Sequence, residues 1–143
     1  MKSQESFEAR LRSWVGLRDS MANLDAEAVC TAINTWWFAR PWQPYRLHWD
    51  DRPVWPDPWA LLEETAYCDL ARGLGIMYTI TMLDRDDLQQ CVLFEDQTNN
   101  LVLVQAEKYI LNYSADDILN TCLETKRNPR RTVTQAELKK QIN

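Results

Sequence analysis

Cys68 and His48 are the residues whose types could do covalent chemistry together. A thiolate nucleophile needs a base, usually an imidazole, within hydrogen-bond reach, and a third group to orient that base. His48 is the chain's one histidine, and Asp50, Asp51 or Asp69 would serve as the orienting carboxylate. A cysteine-dependent peptidase or transferase is therefore one reading. The pattern around Cys68 counts against it. A helix starting at Pro58 sets the thiol nearly three turns in, where the helix dipole no longer lowers a thiol pKa. The competing expectation is a buried structural cysteine and a loop histidine packed between Arg46 and Trp49.

Other chemistries find less support. Asp50-Asp51 with Asp57, and Asp84 with Asp86-Asp87, cluster carboxylates without the alternation and glycine of a calcium loop, so no metal site is expected. Glu63-Glu64 and Asp69 share a helix, but neighbours on a helix point apart, which does not suit paired-carboxylate hydrolysis. Three glycines leave no room for a phosphate-cradling loop, and no cofactor is expected. The four cysteines, Cys30, Cys68, Cys91 and Cys122, show no C-x-x-C pair, which speaks for reduced, buried thiols rather than zinc or disulfides.

Binding chemistry is more prominent. Six of seven tryptophans (Trp36, Trp37, Trp42, Trp49, Trp55, Trp59) fall within 24 residues. Near the C-terminus Lys126, Arg127, Arg130, Arg131, Lys139 and Lys140 stand against Glu137 alone. A basic arm on an acidic body suits docking onto an acidic neighbour. The net charge of −5 speaks against nucleic acid as the main partner. Aromatic residues and arginine dominate interface energetics, so Trp42, Arg46, Trp49, Trp55, Arg127, Arg130 and Arg131 are the expected partner contacts.

Spacing supplies the elements that would position these groups. At 143 residues and 45% hydrophobic content the chain suits one soluble domain. Its polar start reads as no signal peptide, and no apolar run is long enough to span a membrane. Phe7, Leu11, Trp14, Val15, Arg18 and Met21 predict a helix over 5–21. Asp25 caps a second helix, whose stripe is Val29, Ile33, Trp36 and Trp37 and which ends near Ala39 ahead of Pro41. Residues 40–58 hold five of six prolines and read as an ordered extended loop. Asp57-Pro58 starts a third, buried helix over 58–72, stopped by Gly73 and Gly75. Residues 76–83, apolar on both faces, predict a central strand. Strands follow at 91–95, 101–105 and 108–113, with turn chemistry at 97–100. Ser114 with Asp117 caps a helix over 115–124, and Thr134 with Glu137 caps a short terminal one. The expected architecture is α+β: N-terminal helices, a buried central helix on a three- to four-stranded antiparallel sheet, and a C-terminal helix. Residues 1–125 form the domain and 126–143 the basic arm.

Two resemblances refine this. Tyr67-Cys68-Asp69-Leu70-Ala71, then Leu74-Gly75-Ile76, then strands, resembles the transglutaminase-like fold. Aligned over 68–107, that family's histidine falls at Gln90-Cys91 and its acid near Glu107, so the resemblance implies a core that has lost its catalytic histidine. Asn34-Thr35-Trp36-Trp37, Leu47-His48-Trp49-Asp50-Asp51, Trp55-Pro56-Asp57-Pro58-Trp59 and Tyr67-Cys68-Asp69 resemble small proteins encoded by tailed bacteriophages. This implies a virion protein of the tail or baseplate, made in the host cytoplasm and present in several copies among other virion proteins. The expected function is a non-catalytic structural component. The alternatives are the Cys68–His48 enzyme and a small phage-encoded inhibitor of a host protein.

Overall fold

Side-chain caps open the helices. The computed structural model describes residues 6–44, 47–96, 99–105, 108–116, 118 and 131–142. Helix α1 (Phe7–Ser20) starts where the Ser6 hydroxyl accepts from Ala9 N–H at 3.1 Å. Helix α2 (Ala26–Phe38) starts where Asp25 accepts from Ala28 N–H at 2.9 Å. Helix α3 (Pro58–Leu62) starts where Asp57 accepts from Ala60 N–H at 2.8 Å, with Pro58 in the first turn, where its missing N–H costs no bond. Among the described residues, no helix is long and apolar enough to cross a membrane.

The third helix differs from the expectation. It stops after Leu62, and a new helix α4 (Asp69–Leu83) begins at Cys68. Residues 76–83, expected as a strand, are the second half of α4. A helix apolar on every face has no readable period, so it resembles a buried strand in sequence. Gly73 and Gly75 do not stop it. A Cβ on Gly73 would lie 2.9 Å from Leu93 Cδ1, and one on Gly75 would run into the Trp37 indole. They are the points where α4 comes closest to its neighbours. The helix ends instead at Asp84, in the left-handed region with φ 52°.

The sheet is antiparallel. Strand β1 (Cys91–Asp96) pairs with β2 (Asn99–Val104), with Cys91 opposite Val104. Strand β3 (Tyr109–Leu111) pairs with β2 and is shorter than the 108–113 expected, because Asn112 turns away with φ 68°. Strand β4 (Arg131–Thr134) pairs with β1, with Val133 opposite Leu93, giving the order β3-β2-β1-β4. This strand was not foreseen. Residues 131–142 of the expected arm therefore belong to the domain's own sheet and to helix α5 (Gln135–Ile142), which opens on the expected Thr134–Glu137 capping box. The helix expected over 115–124 lies mostly outside the described residues, as do Asp117, Cys122, Lys126, Arg127 and Arg130.

Helix α4 is the centre of this α+β fold. It packs on the sheet face that carries Leu93, Val102, Val104, Leu111 and Val133. Its other side meets α2 and α3. The Thr79 hydroxyl, fully buried, accepts from Trp14 Nε1 at 2.9 Å and Trp37 Nε1 at 3.0 Å, and donates to Gly75 O. Two indole N–H groups are thus satisfied by one hydroxyl, which lets both rings enter the core.

Candidate functional site

The N-terminus of α4 is held by a polar network. Asp69 accepts from the Asn100 backbone N–H at 3.0 Å, and Arg72 donates to Asp69 at 3.1 Å and to Asn112 Oδ1 at 2.6 Å. Asn112 Nδ2 donates to Asp69 O and Asn100 O, while Asn112 N–H donates to Asn34 Oδ1 at 2.9 Å. Asn34 in turn donates to Ser114 O. The Arg72 guanidinium also stacks over Phe38 at 3.8 Å, and burial lowers its pKa. Asn112 and Asn34 are both buried, and each reaches partners on different elements. The network ties α4, α2 and the ends of β2 and β3 together, as satisfied buried polar groups do.

Cys68 stands at the edge of this network. It is the N-cap of α4, not a residue three turns into a helix. Its sulfur accepts from Ala71 N–H at 3.5 Å and lies 4.0 Å from Leu47 O. The residue is only 4% exposed. A cleft of about 430 Å³ opens beside it, lined by Trp42, Leu47, Cys68, Leu70, Asn99 and Asn100 among others. The other described cysteines, Cys30 and Cys91, are free and buried. Burial pushes the Cys30 thiol up to about 12 and raises that of Cys91 as well.

His48 takes no part in the hydrogen bonds made by the Cys68 sulfur. His48 is exposed, and its backbone carbonyl accepts from Trp55 Nε1 at 2.7 Å. Among the described residues, no hydrogen bond joins its imidazole to the thiol, and it is not among the cleft's lining. Of the two positions aligned with the transglutaminase-like histidine, Gln90 is exposed and Cys91 is buried against Met77 Sδ at 3.1 Å. Glu107 lies outside the described residues. No group of three or more metal-ligating side chains occurs among the described residues.

The expected contact residues separate. Trp42 is 60% exposed on the cleft rim. Trp49 and Trp55 are 7% and 6% exposed and pack edge to face at 5.4 Å, inside their own domain. Trp49 Nε1 donates to Asn100 Oδ1 at 2.7 Å, joining the loop to the network. They are core residues, because the loop folds back as a 3-10 turn (Trp49–Val54) instead of lying open. Arg131 pairs with Asp50 at 2.7 Å and Glu95 at 3.0 Å, so its charge is answered within the domain. Arg46 lies outside the described residues.

Asn34, Asn100 and Asn112 did not stand out in the sequence. Asn99-Asn100 reads as a turn, and Asn112 closes a strand. Asn34 carried a usable signal: it sits beside Ile33 and three residues before Trp37 in an apolar helix, where a polar residue must find buried partners. Compared with known proteins, the chain matches no family model, no curated protein and no solved structure.

Proposed function

We propose that this chain is a non-catalytic structural component of a tailed-phage virion, in the tail or baseplate, and that it works by holding other virion proteins. The virion reading rests on the tryptophan- and proline-rich resemblance. The observation that carries the contact reading is Trp42, 60% exposed at the rim of a cleft of about 430 Å³. An exposed tryptophan beside a concavity is the arrangement that interface anchors favour. The Cys68 thiol is engaged as a helix cap, which supports a structural role for it. Mass spectrometry of purified particles tests the proposal. The chain should be present in fixed ratio to a tail protein, and its absence from particles would overturn the virion reading.

One observation favours a second reading. Cys68 lies at the N-terminus of a 15-residue helix and lines the cleft, a position that assists a thiolate. A cysteine-dependent peptidase or transferase would use it with His48 as base. Rapid labelling of Cys68 by iodoacetamide, lost in His48→Ala, would support that enzyme over the binding protein.

A further inference from the structure

Trp42 is bonded from one side only. Tyr67 N–H donates to Pro41 O at 2.8 Å, and Gln43 N–H donates to Tyr67 O at 3.1 Å. These two bonds make a single parallel bridge between Trp42 and Tyr67. In such a bridge the flanking residues face the partner, and the middle residue turns its own N–H and C=O to the opposite side. Neither of those Trp42 groups has a hydrogen-bond partner among the described residues. Trp42 therefore presents a donor, an acceptor and an exposed indole, and it lines the cleft.

An occupant that satisfies this edge must offer a carbonyl and an N–H at strand spacing, as a polypeptide backbone does. The cleft, with Leu47 and Leu70 among its lining, adds concave apolar surface beside that edge. Asp69 is the one charged residue among the described lining, and its side chain is 35% exposed. Its carboxylate is already paired with Arg72 and accepts from Asn100 N–H, so the lining adds no unanswered charge and suits a neutral, apolar segment. We propose that Trp42 is a strand-addition site: an extended segment of a partner protein pairs with its backbone and places an apolar side chain in the cleft. This rests on the reading of the Trp42 face as a contact surface and states the form of that contact.

The test uses the full chain and a library of random dodecapeptides displayed on phage. Peptides selected on the wild type should bind Trp42→Ala at least about tenfold more weakly, with the variant's circular dichroism unchanged. In the complex, hydrogen exchange at the Trp42 amide should slow by about tenfold or more. N-methylation of the one pairing amide of a synthetic peptide should weaken it by about tenfold, the effect of one lost hydrogen bond. If no selected peptide depends on Trp42, the site is refuted. If peptides depend on Trp42 while its amide exchange is unchanged and every N-methylation is tolerated, strand addition is refuted. Trp42 then remains a side-chain contact, and the virion reading stands or falls separately on particle composition.

Discussion

The Trp37 indole lies over Gly75, so close that a Cβ on Gly75 would stand 2.6 Å from Trp37 Cζ2 and nearer still to adjacent ring atoms. Trp37 is buried, and its N–H is fixed on Thr79 at 3.0 Å, so the ring has no free direction in which to move. The glycine is there for contact between α2 and α4, not to end a helix.

Gly75→Ala should therefore destabilise the domain by about 1–3 kcal/mol, the usual effect of overpacking. Gly16 provides the contrast, since nothing lies within 4 Å of a Cβ built there. Gly16→Ala should stabilise by about 1 kcal/mol through helix propensity. Urea denaturation of both variants decides the matter. Equal effects in the same direction would show that Trp37 yields readily.

Cys68 caps α4, so an oxygen can replace its sulfur. Cys68→Ser should leave stability within about 1 kcal/mol of wild type, and Cys68→Ala should lose about 1 kcal/mol. At 4% exposure the thiol should react with iodoacetamide far more slowly than free cysteine. Labelling at the rate of a free thiol would disprove the structural assignment.

Asp57 holds the start of α3 through its bond to Ala60 N–H. Asp57→Ala should cost about 1 kcal/mol, read as a lower melting temperature. An unchanged melting temperature would mean that packing of Leu61 and Leu62 alone holds this short helix.

Asn112 serves four groups from a left-handed backbone position. Asn112→Ala keeps the backbone bond to Asn34 but leaves Arg72 and the Asp69 and Asn100 carbonyls short of partners. A loss of about 3 kcal/mol is expected in chemical denaturation, typical of breaking a buried polar network. A loss under about 1 kcal/mol would show that water restores the network.

Glu137 gives the fold an acid-sensitive contact. Its carboxyl is held below its ordinary 4.5, first by Thr134 N–H and then by Arg52, with which it forms an ion pair. A depressed carboxyl contributes stability that is present above its ordinary value and lost as pH falls through the lowered one. The wild type should thus exceed Glu137→Gln in melting temperature near neutrality, and the gap should close as pH drops below 4.5. A gap that persists in acid would assign the effect to hydrogen bonding rather than charge. The carboxylate is 44% exposed, so the gap should be small and should shrink in salt.

What the sequence determined by itself was local. Asp25, Asp57 and the Thr134–Glu137 pair announced three helix starts, because a cap involves only residues within one turn. The spacing of apolar residues likewise marked α1 and α2. The turn expected at 97–100 overran its place, since Asn99 and Asn100 belong to β2 and pair with Asp96 and Glu95. What lay beyond a turn was decided by the tertiary structure. Residues 76–83 are helical because α4 is enclosed by α2, α3 and the sheet, and full enclosure erases the period that separates helix from strand. Arg131–Thr134 is a strand because β1 offers it an edge some forty residues back along the chain, a pairing with no local mark. The cleft follows the same rule. Trp42, Trp49 and Trp55 look alike in sequence, yet Asn100 and His48 O take the indole N–H groups of Trp49 and Trp55 into the domain and leave Trp42 facing outward. Burial is a property of the surroundings, and those surroundings come from residues distant along the chain.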